Sequence, residues 1–124
     1  TEKPILIVND TIIGSMDLLD TIPSDNVLDL NIFEERTLST TYLFVQNKKH
    51  AGVVTATINR EFKFKTQKEL NVFFGLSENN DVYVNGHLVE SKNQNIASES
   101  IVGIELIKAD NFRTTIPVLN IEIE

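Results

Sequence analysis

The chain contains an internal repeat, in which three blocks of sequence recur in the same order. The pairs of blocks are residues 6–13 with 82–89, residues 22–33 with 96–107, and residues 53–58 with 118–123. A repeat constrains the fold strongly, because a structure that suits the first half must also suit the second. We interpret the pattern as a duplication in which the loops differ in length.

The residue pattern inside the blocks is typical of β-strands. The alternating apolar positions of the middle blocks are Leu28, Leu30 and Ile32 in the first copy, and Val102, Ile104 and Leu106 in the second. The closing blocks alternate in the same way. Such alternation places one side of a strand on a core and the other in water. The opening block is apolar at nearly every position, so we expect its strand to be covered on both faces.

Two dipeptides predict tight hairpin turns of structural importance. Asn9-Asp10 and Asn85-Gly86 stand between apolar runs, where a two-residue turn needs positive φ. Short helical segments are expected at residues 15–19, 24–26 and 98–100. Each copy therefore reads as β-turn-β, a short helix, β, a connector and β. The first connector, residues 36–52, could hold a helix at residues 38–44.

The segment between the copies carries the clearest helix signal. Thr66 and Glu69 have the spacing of a capping box, and Gly75 fits a left-handed helix end. Leu70, Phe73 and Phe74 then lie on one apolar stripe of the helix. The alternation of Phe62 and Phe64 with lysines predicts a strand before the helix. We expect the core to hold Leu70 and Phe73 of this helix, together with Leu30, Ile32, Ile104, Leu106, Ile121 and Ile123.

Composition and motifs offer little support for catalysis. With 18 acidic and 11 basic residues the net charge is −7, which disfavours nucleic-acid binding. The absence of cysteine excludes disulfides and cysteine-based zinc sites, and the five glycines are too dispersed for a phosphate loop. No run approaches the ~18 apolar residues of a membrane-spanning helix. We therefore predict no catalytic, cofactor or metal residues.

The two histidines are expected in exposed loops, since neither has a catalytic partner close by in the sequence. His50 lies in a polar turn, and His87 follows the Asn85-Gly86 turn at the position of Thr11 in the first copy. Acidic residues such as the Glu34-Glu35 pair are expected to be solvated surface charges. The enzyme alternative is a hydrolase that uses Asp25 or Glu99 with His87. It would require these groups to converge within hydrogen-bond distance.

Several segments resemble the plug domain of TonB-dependent outer-membrane receptors, especially the Bacteroidetes type. Residues 3–10 (KPILIVND), 22–33 (IPSDNVLDLNIF) and 52–57 (GVVTAT) are similar to the family's strand-turn, turn-strand and closing-strand motifs. The second copy keeps VYVNG at residues 82–86 and IVGIELIK at residues 101–108. The sequence departs from the family at Asp10, where glycine is usual. It also carries no barrel strands after the plug-like segments.

The resemblance implies a free-standing or excised plug-like module in the periplasm or at the cell surface. Because the chain opens at Thr1, we expect a processed or excised form, with any targeting segment outside it. The predicted fold is α+β, with two tandem plug-like β-α-β-β repeats, a short linker helix and mixed sheets. Repeat 1 is residues 1–59, the linker strand and helix are residues 60–76, and repeat 2 is residues 77–124. The three parts can pack as one domain.

The functional expectation is a non-catalytic binding or accessory module of the cell envelope, without a cofactor. Its partner would be another envelope protein or a glycan, and neither nucleic acid nor a membrane span is expected. A dimer through an unpaired edge strand is compatible with this pattern, because exposed strand edges invite association. Besides the enzyme, the second alternative to this binding module is a structural spacer within a larger surface protein or adhesin.

Overall fold

The computed structural model describes residues 4–33, 52–109 and 116–123 as an α+β structure. Two mixed β-sheets are accompanied in these ranges by one short α-helix and three 3₁₀ turns. The predicted α+β class with mixed sheets is therefore confirmed. The predicted helix at residues 38–44, the Glu34-Glu35 pair and His50 lie outside the described residues.

Sheet A has six strands and combines parallel with antiparallel pairing. In spatial order they are β3 (Val27–Phe33), β4 (Val53–Ile58), β1 (Ile5–Val8), β2 (Ile12–Ser15), β8 (Asn95–Ala97) and β5 (Phe64–Lys65). β1 and β2 form an antiparallel hairpin, and β4 runs parallel to β1 on the other side. β8 pairs in parallel with β2, so a strand from the second half of the chain extends the sheet of the first half. The sequence pattern does not predict β8.

Sheet B has four strands in an order that matches part of sheet A. In spatial order they are β7 (His87–Leu88), β6 (Val82–Val84), β10 (Val118–Ile123) and β9 (Ile101–Ile107). This is the order of β2, β1, β4 and β3 in sheet A. The parallel registers also correspond, because Leu6 pairs with Val54 and the aligned Val82 pairs with Leu119.

An irregularity in the antiparallel register also recurs. In sheet A, Val27 pairs with Ile58 and Asp29 with Thr57, so Leu28 has no partner in the register. In sheet B, Ile101 pairs with Ile123 and Gly103 with Glu122, which leaves Val102 in the same position. One extra residue in an antiparallel strand is a β-bulge, which increases the local twist.

A shared apolar core joins the two sheets. It includes Ile5, Ile7, Ile13 and Val53 from sheet A, and Val82, Val84, Leu119, Ile121 and Ile123 from sheet B. A second core lies on the other face of sheet A and contains Leu6, Val8, Val54, Ala56 and Ile58. All four residues of β1 are buried, which confirms that the opening block is covered on both faces.

The second core is covered by a 3₁₀ turn at Met16–Thr21. The predicted helical segment at residues 15–19 is therefore present in the tighter 3₁₀ form. Leu18 of this turn is buried, and Phe62 and Met16 pack at the edge of the cluster. The two predicted single turns are also present, at Ser24–Asn26 and Ser98–Ser100.

The α-helix α1 (Gln67–Phe73) begins as its sequence predicts. The Glu69 N–H donates to the Thr66 side chain at 3.0 Å, and the Thr66 N–H donates to the Glu69 carboxylate at 3.2 Å, which completes the capping box. The bonds that the Thr66 N–H and the Thr66 hydroxyl donate to the Glu69 carboxylate lower the pKa of Glu69. Gly75 has φ of +75° and ends the helical segment in the left-handed conformation.

The buried face of α1 differs from the predicted stripe. Leu70 is buried, as expected, but Phe73 is 83% exposed, so its predicted place in the core is wrong. The buried neighbours of Leu70 are Gln67 and Asn71. The Gln67 side-chain amide donates to the carbonyls of Ser91 and Gln94, and the Asn71 amide to that of Asn80. These bonds turn the 67-70-71-74 stripe inward, and Phe73 lies outside that stripe.

Several residues predicted for the core lie on the surface instead. Leu30, Ile32 and Leu106 are exposed, while Ile104 is half-buried against the shared core. Ile121 and Ile123 are buried, as predicted. The difference has one cause. β3 and β9 are edge strands, and the layers that cover the centres of the sheets do not extend over their exposed residues.

Gly14 provides a test of the packing between sheet A and the 3₁₀ turns. A Cβ atom there would lie 2.5 Å from Leu18 Cδ1 and 3.0 Å from Ser100 Oγ, and both of those residues are buried. We expect Gly14→Ala to lower the free energy of unfolding by about 1–3 kcal/mol in urea denaturation.

Gly103→Ala is the matched control for this substitution. Its Cβ would meet mainly the Glu122 carboxylate, 3.0 Å away at the end of a flexible exposed side chain. We expect a change within about 0.5 kcal/mol. Equal losses in the two variants would contradict the described packing at Gly14.

Candidate functional site

Asparagine side chains at the hairpin turns bond the ends of β4 and β10 in both sheets. Asn9 and Asp10 have φ of 52° and 63°, and Asn9 lies one residue beyond the end of β1. The Asn9 backbone N–H donates to the Ala56 carbonyl at 2.8 Å. Its side-chain amide donates to the Ile58 carbonyl at 3.2 Å, and the Ile58 N–H donates to Asn9 Oδ1 at 2.9 Å. The side chain thus continues the β1–β4 pairing beyond the strand.

The second hairpin repeats the backbone bond and the strand N–H to side-chain oxygen bond of this bridge. Asn85 and Gly86 have φ of 49° and 86°. The Asn85 N–H donates to the Ile121 carbonyl, and the Ile123 N–H donates to Asn85 Oδ1, both at 2.9 Å. A buried bond from the Gly86 N–H to Asn120 Oδ1, at 2.8 Å, also holds the turn. All four predicted turn residues have the expected positive φ. Their bridges anchor the ends of β4 and β10.

His87 is buried, contrary to the prediction of an exposed loop histidine. It is 3% exposed and pairs with Val84 across the hairpin, as Ile12 pairs with Val8 in sheet A. The second turn has one residue fewer between these partners than the first. His87 therefore takes the position of Ile12 rather than that of Thr11. Paired residues of an antiparallel hairpin share a face, which directs His87 towards the side of Val84.

The groups of the hydrolase alternative lie on different elements. Asp25 and Glu99 are exposed on 3₁₀ turns that precede β3 and β9. β9 and the strand of His87, β7, are the opposite edges of sheet B, three strand spacings or about 14 Å apart. In residues 4–33, 52–109 and 116–123, no three histidine or acidic side chains form a group that could hold a metal ion.

Tyr83 belongs to a small cluster separate from the shared core. It is buried beside Ile107 and Val118, with Leu88 packed against the cluster. Burial raises the pKa of the Tyr83 phenol, and the nearby Asp81 carboxylate raises it further. The phenol therefore stays protonated at neutral pH and can donate a hydrogen bond. This cluster did not follow from the strand pattern, which predicted burial but did not assign a face.

Among the described strands, β3 carries three exposed large apolar side chains, Leu28, Leu30 and Ile32, which we call the edge stripe. Their exposed fractions are 64%, 45% and 65%. Leu30 and Ile32 pair with Ala56 and Val54, which belong to the second core. Leu30 and Ile32 therefore continue the apolar surface of that core to the edge of sheet A. The alternation of β3 follows from the sequence. Its position at the edge of the sheet is known only from the strand order.

The backbone at the edge stripe is available on one side. The Ala56 carbonyl is bonded to Asn9 and so points towards β1. Its antiparallel partner Leu30 therefore directs its own N–H and carbonyl away from β4, to the edge of the sheet. The Asp29 carboxylate accepts from the Leu30 N–H at 3.0 Å and from the Asn31 side-chain amide at 3.1 Å. An acidic side chain thus occupies a donor of the edge.

In comparisons with known proteins, no protein-family model, curated protein or solved structure matches the chain. In the described segments, no helix is both long and apolar enough to cross a membrane.

The Asn9 bridge can be tested by separating its side-chain bonds from its backbone conformation. Glycine keeps the positive φ but loses both side-chain bonds to Ile58, so Asn9→Gly should lower the free energy of unfolding by about 1–3 kcal/mol. Alanine should cost about 1–2 kcal/mol more, because its Cβ opposes the left-handed conformation. Urea denaturation measures both.

Thr11→Ala is the control, because Thr11 is exposed and its side chain makes only a long 3.4 Å bond to the Asn9 carbonyl. It should change stability by no more than about 0.5 kcal/mol. The bridge would be unimportant if Asn9→Gly were as stable as the parent protein.

Proposed function

We propose that the chain is a non-catalytic binding or accessory module of the cell envelope, built from two tandem plug-like repeats. One observation supports this most strongly. Aligned residues form the same strand order, the same parallel register, the same bulge and the same asparagine bridge in sheets A and B. Agreement in so many details is what a duplicated scaffold predicts.

The scaffold argues for binding rather than for reaction chemistry. The side-chain oxygens of Asn9, Asn85 and Asn120 accept bonds from strand ends and turns and so have a structural role. Large apolar side chains remain on the surface, among them Phe73 on α1 and the edge stripe on β3. Exposed aromatic and aliphatic groups on a rigid support are typical of protein-binding surfaces. The partner class is therefore an envelope protein, with a glycan as the second choice.

The proposed compartment, the periplasm or the cell surface, follows from the resemblance to receptor plugs. It can be tested by fractionating the bacterium that produces the protein and locating the chain with an antibody. We expect the signal in the periplasmic or outer-membrane fraction. A signal confined to the cytoplasmic fraction would contradict the proposal.

Binding can be distinguished from a spacer role by photo-crosslinking in the same cells. A photoreactive phenylalanine placed singly at Phe64, Phe73, Asn93 and Asp10 samples exposed positions on separate elements. A binding module should cross-link to one defined partner from some of these positions and not from others. Replacing the cross-linking residue with serine should then reduce co-purification of that partner at least severalfold.

Thermal unfolding of the serine variants provides the internal control. Serine at an exposed position should leave thermal unfolding nearly unchanged, so a loss of co-purification would report binding rather than folding. A uniform absence of cross-links at all four positions would support the spacer alternative and contradict the binding proposal.

A further inference from the structure

We propose that β3 is a self-pairing edge, through which two molecules of this chain associate as an antiparallel dimer with its two-fold axis at Leu30. The inference goes beyond the proposed function and holds in any cellular compartment. It rests on three features of β3: backbone groups that point away from β4, exposed apolar side chains and the pattern of charges.

The backbone of β3 is suited to this pairing. Among the described strands, β3 pairs on one side only, with β4. Leu30 directs its N–H and carbonyl to the free side, as shown by the bond of its neighbour Ala56 to Asn9. Two molecules related by a two-fold axis at Leu30 would exchange a reciprocal pair of hydrogen bonds between their Leu30 residues, as in an ordinary antiparallel pair.

The side chains of β3 are self-complementary about the same axis. Leu30 would lie opposite Leu30 of the second molecule, and Leu28 opposite Ile32. Each exposed residue of the edge stripe would therefore meet another apolar residue, with Leu28, the extra residue of the bulge, at the margin of the pairing. Asp29 would lie opposite Asn31, and an amide can donate to a carboxylate across the strands. No two like charges would face each other.

Neighbouring registers are less favourable. A two-fold axis at Asp29 would place two carboxylates directly opposite each other, which is destabilising. An axis at Asn31 would pair Leu30 with Ile32 but would move Leu28 beyond the last residue of the opposing strand, Phe33. The axis at Leu30 alone pairs all three stripe residues with one another.

Asp29 satisfies an outward-pointing backbone donor of the edge in the monomer. Its carboxylate occupies the Leu30 N–H and accepts from Asn31 of the same strand. In the dimer the Leu30 N–H would bond to the second molecule, and the carboxylate would accept from Asn31 across the interface. The hydrogen bonds are exchanged rather than lost, whereas the apolar contacts are gained. A charge at the edge also discourages irregular association.

The aligned edge of sheet B is a poorer candidate. At the positions of Leu30 and Asp29, β9 has Ile104, which is half-buried against the shared core, and Gly103. Glycine weakens a strand, and without a side chain it cannot contribute a cross-strand side-chain contact. Val102 is nevertheless 62% exposed, like Leu28, which makes it a matched control.

The pairing should be weak, because one strand per molecule forms a smaller interface than stable dimers usually have. We expect a dissociation constant of about 10–1,000 μM. Sedimentation velocity and NMR translational diffusion between about 10 μM and 2 mM cover this range. The parent chain should change from monomer to dimer across the series. A monomer at every concentration would overturn the proposal.

Leu30→Lys tests the position of the axis. It places two ammonium groups opposite each other and should abolish the dimer, while Val102→Lys introduces the same charge at the aligned strand and should leave the dimer intact. Both side chains are exposed, so circular dichroism should report an unchanged fold. Dimers that survive Leu30→Lys, or that are lost equally with Val102→Lys, would overturn the assignment to β3.

Asn31 tests the register with a gain of affinity, which misfolding cannot imitate. Asn31→Lys would place an ammonium group opposite Asp29 at two symmetric positions and should tighten the dimer roughly 2–30-fold. Asn31→Asp would place two carboxylates opposite each other and should weaken it by a similar factor. With the axis at Asn31 instead, lysines would face each other and Asn31→Lys would weaken the dimer.

Glu105→Gln controls for net charge, because it removes one negative charge at the aligned position of β9 and so changes the net charge by the same amount as Asn31→Lys. It should leave the dissociation constant within about twofold of the parent value. If Glu105→Gln tightened the dimer as much as Asn31→Lys, the effect would be one of total charge, and the β3 register would be wrong.

Discussion

The parallel pairing of each closing strand with the first strand of its hairpin determines the rest of the structure. Because β4 lies beside β1 and β10 beside β6, the hairpin's first strand is central in both sheets. A central strand with layers on both sides must be apolar at every position, which accounts for the unbroken apolar run of β1. The asparagine bridges at Asn9 and Asn85 extend this pairing by one more residue.

Aligned faces of the two sheets are covered by different neighbours. Leu6, Val8, Val54, Ala56 and Ile58 form the second core on the outer face of sheet A. The aligned Val82, Val84, Leu119, Ile121 and Ile123 lie in the shared core between the sheets. A face that sheet A covers with a 3₁₀ turn is thus covered in sheet B by the other sheet. This inversion explains why the aligned Leu30 and Ile104 differ in burial.

Local features of the fold could be predicted from the sequence, and features that depend on strand order could not. The capping box at Thr66 and the positive φ at Asn85 depend on a few adjacent residues, so their signals are strong. The exposure of Leu30 depends on β3 being an edge strand, which alternation does not encode. The burial of His87 depends on a turn one residue shorter than its counterpart, and a change of one residue moves a side chain to the other face.

The central claim is that an asparagine at each hairpin turn bonds the end of the closing strand in the same way in both sheets. Scalar couplings across hydrogen bonds, measured by NMR on uniformly labelled protein, test it directly. The account predicts couplings from the amide nitrogens of both Ile58 and Ile123 to the side-chain carbonyl carbons of Asn9 and Asn85, together with slow exchange of both amide protons. Fast exchange and no coupling at either isoleucine would contradict the shared plan.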